Sequence, residues 1–575
     1  MPRFTNREVA AIFAKIGSLL EIKGENRFKI MAYRKAADSI GNLGQDLFDM
    51  WESGRDLQTI ENVGQAIADK VDELFTTGKM GFWEKLRAEI PESLADLLAV
   101  PDVGPSLAKT VWQQLGITTV EQLKEAARQG RLRNLPRMGA KSEARILASI
   151  EVMERRPDRI HLGVAWPLAR RIVAALAELP ETLQAEAVGS LRRMRETIGD
   201  LDFLVATKNP AAVMAAFKAL PDVEAVIGAG ETKTSVRFHS GLQADLRCLE
   251  PERWGTALQY FTGSQLHNIK IRELALKQGY SLNEYSLTRE SDGEELLFDD
   301  EAALYRFLGL AYIPPYLREA RGEIAAAQKN QLPQPVTVDD IKGEVHCHST
   351  WSDGAQTIEQ MARAALARGY QYLAITDHSQ SLGITNGLTP ERLRQQRQEM
   401  AEVQARVPGI RLLQGTEMEI RADGTLDFPD EVLAELDFVV ASVHVGLRQD
   451  RETLTRRTLN AIRNPYVKLI GHPTGRLLPK REAGDFDMEA ILQAAAETGT
   501  ALEINAAPER LDLSDAHVQR AVELGVKLII NCDAHHEADF DHLHFGVAVA
   551  CRGWATPANI LNTRPFDDFM ALIKK

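Results

Sequence analysis

The chain has 575 residues, of which 44% are hydrophobic and 26% charged, and its formal net charge is −13. This length exceeds what one hydrophobic core holds, so we expect three to five domains. No apolar run reaches ~18 residues, which excludes a membrane-spanning helix, and the N-terminal segment lacks a signal-peptide pattern. Four cysteines without framework spacing exclude a disulfide-stapled secreted protein and fit a reducing cytoplasm.

The charge is distributed unevenly along the chain. Residues 1–335 contain 43 Lys and Arg against 46 Asp and Glu, whereas residues 336–575 contain 25 against 35. The acidic total argues against nucleic acid as a partner. However, a nearly neutral chain can still present a basic face, and a metal site must be acidic before its cations arrive. Charge alone therefore leaves a nucleic-acid partner open.

Residues 1–150 are predicted to form short helices punctuated by glycine, without strands. Three stretches share one plan, in which an apolar residue precedes a glycine and a helix follows: ENVGQAIADKV (61–71), VPDVGPSLAKTV (100–111) and LPRMGAKSEARI (135–146). Glycine lets the main chain approach a phosphate, and the next helix N-terminus supplies a favourable dipole. The stretches resemble helix–hairpin–helix units, which grip DNA backbone without reading sequence. The resemblance implies DNA contacts at Gly64, Gly104 and Gly139.

The stretch RFKIMAYRKAADSI (27–40) resembles the N-terminal lyase domain of the family that includes DNA polymerase beta. In that family a lysine forms a Schiff base with 5′-deoxyribose phosphate, and alignment through Gly64 places it at Lys70. Phe28 and Ala66 stand where the family has a histidine and a lysine. Other candidate DNA contacts are Lys29, Tyr33, Arg34 and Lys35. The resemblance implies either lyase activity or a site that only holds the 5′-phosphate of a gap.

From about residue 160 to 250 the pattern changes to strands separated by a helical segment. The predicted strands are DLDFLVAT (200–207), TSVRFHS (234–240) and LQADLRCL (242–249). Asp200 and Asp202 are two residues apart, so their side chains project from one face, and Asp245 lies on a later strand. Three carboxylates on adjacent strands can hold two Mg²⁺ ions, as in-line nucleotidyl transfer requires.

The segment upstream of these carboxylates, GSLRRMRETIGDLDFLVAT (189–207), is suited to phosphate. Gly189 and Ser190 are predicted to begin a helix with free N–H groups, and Arg193 adds positive charge. This block resembles the nucleotidyltransferase superfamily, specifically family X DNA polymerases. The resemblance implies nucleotide binding by Gly189, Ser190, Arg193 and Gly199.

A second stretch, YFTGSQLHNIKIRELA (260–275), resembles the sugar- and base-contacting segment of family X polymerases. The resemblance implies that Tyr260 and Phe261 flank the deoxyribose and that Gly263 lies beneath it. It also implies that Asn268 and Arg272 face the minor groove of the base pair.

A polar, proline-containing stretch, AAAQKNQLPQPVTVDD (325–340), is predicted to be a linker. After it, short apolar runs alternate with helical stretches: YLAIT, RLLQGTEMEI, DFVVASV, VKLIGH, ALEINA and KLIIN. This rhythm predicts a parallel barrel or sheet of β–α units.

Ten of the 13 histidines lie in residues 336–575, and most follow these predicted strands. In a barrel, side chains at the carboxyl ends of strands converge on one mouth. The candidate metal ligands are His346, His348, Asp353, His378, Glu417, His444, His472, Asp533 and His535. Imidazole and carboxylate together suit Zn²⁺, Mn²⁺ or Fe²⁺, and nine groups imply two or three ions. Such clusters catalyse phosphoester hydrolysis.

The motifs HxH, SDG, TDHS, GxE, SxH, GHP and DAH, in this order, resemble the polymerase-and-histidinol-phosphatase (PHP) family over residues 336–575. The family implies a distorted TIM-like barrel of about seven strands. Members that are fused to DNA polymerases act as 3′–5′ exonucleases. The resemblance therefore implies exonuclease activity here, and we also expect incision at abasic sites.

Taken together, the chain is similar to bacterial and archaeal family X DNA polymerases with a C-terminal PHP domain. This implies a multidomain α+β and α/β protein: a helical lyase-like DNA-binding domain (1–90), helical fingers (91–155), a palm with a mixed β-sheet (156–252), a small α/β thumb (253–320), a linker (321–340) and the PHP barrel (341–575). We expect a monomer, cytoplasmic and nucleoid-associated, without a membrane partner, that fills short gaps in base excision repair. It would use dNTPs, gapped or primer–template DNA, and Mg²⁺ or Mn²⁺.

Two rival interpretations stay open. One is a template-independent nucleotidyltransferase fused to a small-molecule phosphatase. The other is a non-catalytic scaffold that binds DNA ends.

Overall fold

The computed structural model describes residues 3–41, 43, 45–100, 102–136, 138–155 and 159–573, the side chains of residues 152–155 aside. The chain forms two compact units: residues 1–158 with 240–242, and residues 159–239 with 243–575. None of the helices in the described ranges is long and apolar enough to cross a membrane.

The first unit is helical and, within its described ranges, contains no strand, as predicted. Its α-helices are α1 (Asn6–Lys23), α2 (Arg27–Gly41), α3 (Leu47–Glu52), α4 (Gln65–Thr77), α5 (Gly81–Glu89), α6 (Leu94–Leu97), α7 (Pro105–Leu115), α8 (Val120–Arg128) and α9 (Ala140–Arg155). Apolar positions at helical spacing bury Phe13, Leu20 and Phe75 in one core. A capping box of Thr5 and Glu8 begins α1.

The second unit begins with a mixed sheet at the predicted palm. Its elements are β1 (Ile160–His161), α10 (Leu162–Ala177), β2 (Thr182–Val188), α11 (Gly189–Arg192), β3 (Thr197–Ile198), β4 (Leu201–Thr207), α12 (Pro210–Lys218), β5 (Val223–Ala229), β6 (Lys233–Phe238) and β7 (Gln243–Leu249). The sheet order is β2-β4-β7-β6-β5, with β4 and β7 parallel and the other pairs antiparallel.

The three strands predicted in this region are confirmed as β4, β6 and β7. The sequence analysis missed β2 and β5. Alanine and glutamate, which favour helices, interrupt both stretches, and most β5 side chains are exposed. Pairing with β4 and β6 overrides that local preference.

A small α/β region follows, as predicted for the thumb. It contains α13 (Trp254–Thr262), α14 (Gln265–Lys277), β8 (Tyr280–Leu282), β9 (Leu287–Arg289), β10 (Glu295–Leu296), α15 (Glu301–Phe307) and α16 (Glu323–Gln328). Its core surrounds Ile271 and Tyr305. The fully buried Arg318 guanidinium bonds Glu301 Oε1 at 2.5 Å, so this charge is paired in the interior.

The first part of the predicted linker is not an irregular connection, and that prediction was wrong over residues 323–328. These residues form α16, because the alanine-rich EIAAAQ stretch favours a helix. Ala327 is buried against the thumb core, and its carbonyl accepts a hydrogen bond from Ala311 N. The polar residues 329–337 then lead to the barrel without helix or strand.

The last part is a nearly closed barrel of seven parallel strands, counted within the described range 159–573. The strands are β11 (Gly343–Glu344), β12 (Tyr372–Ile375), β13 (Arg411–Glu419), β14 (Phe438–Ser442), β15 (Val467–Ile470), β16 (Ala501–Asn505) and β17 (Leu528–Asn531). A parallel bridge between Cys347 and Ala534 joins the segments that follow β11 and β17. The predicted TIM-like barrel is confirmed, and the six apolar runs are β12 to β17.

Helices flank these strands: α17 (Ile358–Ala367), α18 (Pro390–Arg406), α19 (Asp430–Leu433), α20 (Arg451–Arg463), α21 (Met488–Thr498), α22 (Asp515–Leu524), α23 (Leu543–Arg552) and α24 (Phe566–Ile573). The strands are buried almost throughout, as expected for a parallel sheet covered by helices.

Candidate active sites

The barrel brings the predicted metal ligands together at the carboxyl ends of its strands. Among the described residues, three groups have ligand atoms within 4.8 Å of one another. The groups are His348, Asp353, His378 and His535; His346, His348, Glu417 and Asp533; and His378, Glu417 and His444. Eight of the nine predicted ligands therefore converge in groups. The ninth, His472, lies beside them, with Nε2 2.8 Å from Glu417 Oε1.

Glu417 lies at the centre of this arrangement and is almost fully buried. Its Oε2 is 2.9 Å from His378 Nδ1 and 3.4 Å from His346 Nε2. Its Oε1 is 3.2 Å from His444 Nε2. Burial raises the pKa of Glu417, but the surrounding imidazoles outweigh it and hold that pKa well below its usual value. One carboxylate thus connects two of the three groups.

Two further carboxylates fix the orientation of ligand histidines. His346 Nδ1 is 2.7 Å from Glu503 Oε1, and His444 Nδ1 is 2.7 Å from Glu419 Oε2. Such partners set which ring nitrogen faces a metal. The sequence analysis missed Glu419 and Glu503, although both lie on the strands that carry the ligand motifs, in TEMEI and ALEIN.

The donor atoms of these groups fit divalent cations. Many are buried and, despite short contacts with one another, form no hydrogen bond of suitable angle among the described residues: His346 Nε2, both ring nitrogens of His348 and His472, His378 Nδ1, both Glu417 oxygens and Asp533 Oδ1. Buried polar atoms are normally satisfied, so the convergence of these donor atoms fits a site for cations. Mixed imidazole and carboxylate donors suit transition-metal ions.

Strain and charge at the mouth agree with a functional site. Asp533 adopts φ +53 and His472 φ +27, a region that non-glycine residues rarely occupy. Burial lowers the pKa of His378, but the Glu417 carboxylate outweighs it and raises that pKa to about 9. The His378 imidazole therefore favours its protonated form at neutral pH, and a bound cation would displace that proton.

A cavity of about 420 Å³ opens onto the ligands. Arg481 and Arg510 line it, and Arg510 Nε lies 3.4 Å from Asp533 Oδ2. These guanidinium groups provide positive charge for an incoming phosphate. Ile384, which is 95% exposed, also lines the cavity and offers an apolar surface beside the charged floor.

In the mixed sheet, strand register places two predicted carboxylates side by side. Asp202 on β4 is the parallel partner of Asp245 on β7, and Asp200 precedes Asp202 by two residues. Asp202 and Asp245 therefore lie on one face of adjacent strands. Asp200, which was predicted to begin the strand, lies just before β4, close enough for its charge to act on Asp202. Gly189 approaches so closely that an added Cβ would lie 2.6 Å from Asp202 Oδ2, and its φ is +64. This explains the glycine before Ser190.

The surroundings shift the pKa values of Asp202 and Asp245 in opposite directions. Burial, reinforced by the charges of Asp200 and Asp245, raises the pKa of Asp202 to about 7. Burial also raises the pKa of Asp245, but hydrogen bonds from Lys233 and Gln243 outweigh it and lower that pKa. Lys233 Nζ is 2.8 Å from Asp245 Oδ2. Among the described residues these three carboxylates do not form one of the convergent ligand groups, and Asp245 is paired with Lys233 instead.

Contacts with one another connect several of the predicted nucleotide-contacting residues. Arg193 Nη1 donates to the Thr262 carbonyl at 2.6 Å, and an added Cβ at Gly263 would lie 3.1 Å from that nitrogen. Asn268 Nδ2 donates to the Tyr260 carbonyl at 2.7 Å. Tyr260 meets Phe261 edge to face. Ser190 and Gly199 are partly buried, and Arg272 is exposed on α14.

In the first unit, each of the three predicted hairpin glycines immediately precedes a helix. Gly64 and Gly104 are the N-caps of α4 and α7, and Gly139 precedes α9. All have open space where a Cβ would lie, with no described atom within 4 Å. No internal contact requires glycine there, which agrees with close approach by an external group. The left-handed residues Asn62 and Asp102 also recur two positions before Gly64 and Gly104.

The predicted lyase residues meet around Phe82, which the sequence analysis missed. Tyr33 stacks on Phe82 at 5.7 Å, with ring planes 5° apart. Lys29 Nζ and Lys70 Nζ lie 5.4 and 5.5 Å from the centre of the same ring. Lys70 also donates to the Ala66 carbonyl. The sequence signal that could have identified Phe82 is an aromatic residue, in the stretch GFW shortly after α4, that can pack against positive side chains.

Arg34 and Lys35 complete the predicted set on α2. Arg34 pairs with Glu21 at 2.5 Å, and Lys35 is partly buried. Phe28, at the start of the same helix, is 86% exposed. The structure thus brings Lys29, Tyr33 and Lys70 together but directs Arg34 to an internal ion pair.

Four family models match the chain. They are the DNA polymerase beta thumb over residues 257–319, a helix-hairpin-helix domain over 4–80, a SAM-like helix-hairpin-helix tandem over 94–151 and the PHP domain over 344–507.

Similar proteins cover either the whole chain or its C-terminal part. The DNA polymerase/3'-5' exonuclease PolX of Bacillus subtilis (strain 168) is 38% identical over 571 residues, which is 99% of this chain and 99% of that protein. A probable phosphatase of Thermoanaerobacter sp. (strain X514) is 30% identical over 232 residues, 38% of this chain and 89% of that protein. A probable phosphatase of Caldicellulosiruptor bescii is 28% identical over 249 residues, 41% of this chain and 96% of that protein.

Proposed function

Because the chain belongs to the family X DNA polymerases that carry a C-terminal PHP domain, we propose that it fills short gaps in DNA and trims 3′ ends. The observation that carries the proposal is the presence, in one chain, of an in-register carboxylate pair beside a phosphate-suited turn and of a barrel mouth with convergent metal ligands. The rival of a template-independent transferase with a small-molecule phosphatase is disfavoured, because the relative covers 99% of this chain.

For synthesis, the carboxylates Asp200, Asp202 and Asp245 would hold Mg²⁺ or Mn²⁺, since hard oxygen donors suit these ions. When bound, the cations supply Lewis-acid activation of the primer hydroxyl and neutralise triphosphate charge. Arg193 and the α11 turn at Gly189 and Ser190 orient the triphosphate. Tyr260, Phe261 and Gly263 form the surface for the deoxyribose, while Asn268 and Arg272 face the base pair.

For degradation, the nine barrel ligands would hold two or three Zn²⁺, Mn²⁺ or Fe²⁺ ions, which supply an activated water and charge stabilisation at phosphorus. Arg481 and Arg510 would bind the phosphate beside the cleaved bond, because they line the cavity above the ligands. The same chemistry would serve incision at an abasic site.

The hairpin glycines Gly64, Gly104 and Gly139 would bind DNA phosphates through main-chain N–H groups at the following helices. These contacts use dipoles rather than net charge, so they are compatible with a chain of net charge −13. The protein would act as a monomer in base excision repair, in the cytoplasm and associated with the nucleoid.

The proposed function is tested with a labelled primer that borders a short gap in duplex DNA, with Mn²⁺ present. With dNTPs, we expect extension by the nucleotides that the template specifies, and without dNTPs we expect shortening from the 3′ end. A mismatched set of dNTPs is the control. Extension that ignores the template would favour the rival transferase, and a primer left intact in both reactions would favour the end-binding scaffold.

We also propose that Lys70 acts as a 5′-deoxyribose-phosphate lyase nucleophile. Its amine would attack the sugar aldehyde carbon and release water to give an imine, which borohydride reduces to a stable protein–DNA adduct. Lys70→Ala is expected to abolish this adduct while primer extension stays within about twofold, because the lysine is remote in sequence from the carboxylates. Electrophoresis of borohydride-treated reactions measures the adduct.

Lys85→Ala, at an exposed lysine on the neighbouring helix α5, is the matched control and should retain full trapping. If wild-type protein gives no adduct but still binds a 5′-phosphorylated gap, the Phe82 cluster only holds the phosphate.

A further inference from the structure

The loop that follows α11, residues 193–196 (the palm loop), is held by arginines of the PHP barrel. This loop carries Arg193, the proposed triphosphate contact, and lies within the same compact unit as the barrel. Two barrel residues reach it, Arg552 at the end of α23 and Arg476 after β15. The palm loop is therefore held in part by residues of the barrel and not only by residues of the palm sheet.

Arg552 contacts both the main chain and the side-chain partner of Arg193. Its Nη1 donates to the Arg193 carbonyl at 2.6 Å and to Glu319 Oε1 at 3.0 Å. The same Glu319 oxygen accepts a hydrogen bond from Arg193 Nε at 3.0 Å. Asp515 Oδ2 on α22 accepts a hydrogen bond from Arg552 Nη2 at 2.6 Å. Arg552 is 1% exposed, so its position is fixed by these partners.

Arg476 holds the other end of the palm loop. Its Nη2 and Nη1 donate to the two Glu196 oxygens at 2.9 and 3.1 Å, a bidentate geometry. Both side chains are largely buried, at 12% and 22% exposure. Bidentate arginine–carboxylate pairs restrict direction as well as distance. Arg476 Nε also donates to the Arg510 carbonyl, which ties this contact to the wall of the barrel cavity.

Burial makes these contacts strong determinants of loop position. Burial raises the pKa of Glu319, but Arg552, Arg193 and Arg195 outweigh it and lower that pKa to about 2, so the carboxylate stays ionised at neutral pH. If one partner is removed, the remaining buried charges have no water to replace it. The loop would then move to satisfy them, and the Arg193 guanidinium would move with it.

We propose that Arg552 and Arg476 of the PHP barrel are positioning residues for nucleotide incorporation, because they clamp both ends of the palm loop that presents Arg193 to the triphosphate. This inference rests on the polymerase function proposed above. The barrel thereby contributes to synthesis without touching the nucleotide, the template or the reacting atoms. The contribution is separate from the metal-ligand groups at its mouth.

The test measures single-nucleotide incorporation by Arg552→Met and Arg476→Met across a range of dNTP concentrations. We expect KM for dNTP to rise by about 10- to 100-fold, since small misplacements of a positioning group have effects of that size. Binding of primer–template DNA without dNTP should stay unchanged. Arg552→Lys, which keeps the charge but has a single donor nitrogen in place of the guanidinium fork, should recover part of the loss.

Exonuclease activity of the same samples and their thermal unfolding are measured alongside. Arg520→Met is the matched control, because Arg520 on α22 pairs with Glu489 on α21 at an exposure similar to that of the Arg476–Glu196 pair and does not contact the loop. The inference is overturned if both arginine variants keep wild-type KM, or if Arg520→Met raises KM equally. If the Met variants do not fold, Glu196→Gln is measured in their place, and an unchanged KM for dNTP in this variant would also overturn the inference. Wild-type protein that fails to extend any primer would instead contradict the proposed function.

Discussion

Asp202→Ala is expected to reduce primer extension by about 1,000-fold or more, because one of the oxygen donors for the catalytic cations is lost. The change should leave the fold intact. Burial already raises the pKa of this carboxyl to about 7, so the folded chain disfavours its charged form and loses little when it is removed. The rate of incorporation into a gapped duplex, under single-turnover conditions, measures the effect.

Asp222→Ala is the matched control for Asp202→Ala. Asp222 belongs to the same sheet region but forms only an exposed pair with Arg171, and such pairs contribute little. Control and wild type should extend the primer alike, and 3′–5′ degradation should persist in both variants. Extension by Asp202→Ala at near the wild-type rate would show that synthesis does not depend on this carboxylate face.

His378→Ala should reduce the rate of 3′–5′ degradation by about 100-fold or more, while primer extension persists. His378 belongs to two of the three ligand groups and lines the cavity, so its removal disrupts two cation positions. Degradation of a labelled 3′ end without dNTPs measures activity. Metal analysis of purified protein provides an independent measurement, and the variant should retain fewer ions per chain than wild type.

His536→Ala is the matched control, since His536 follows ligand His535 directly but is exposed and only caps a short helical turn. It should keep both its metal content and its degradation rate. If His378→Ala degraded DNA normally with full metal content, the barrel mouth would not be the exonuclease site.

The convergence of the candidate ligands could be predicted from the sequence because its physical signal is local. Histidines and carboxylates followed short apolar runs, and parallel strands bring such positions to one mouth. Asp202 and Asp245 were likewise identifiable as strand carboxylates, and their pairing follows from the register of β4 and β7. Helix α16 was missed because proline and polar residues further along the stretch hid a short alanine-rich helix.

Contacts between distant parts of the chain could not be predicted in this way. Arg476 and Glu196 are 280 positions apart, and Arg552 and Arg193 are 359 apart. An arginine in sequence looks the same whether it is solvated or clamps a loop, and only the packed fold distinguishes the two. Glu419 and Glu503 were missed for a related reason, since a strand glutamate shows its role only when a histidine ring lies against it.

Glu417 lies in two ligand groups at once, and His348 and His378 are also shared between groups. Occupancy of one position therefore pre-arranges donors for the next, and titration with a transition metal should be cooperative rather than a series of independent steps. In a partly loaded protein the shared ligands would already be oriented for the adjacent position, so partly loaded protein should be scarce. Nuclease competence would then switch on over a narrow span of free metal concentration.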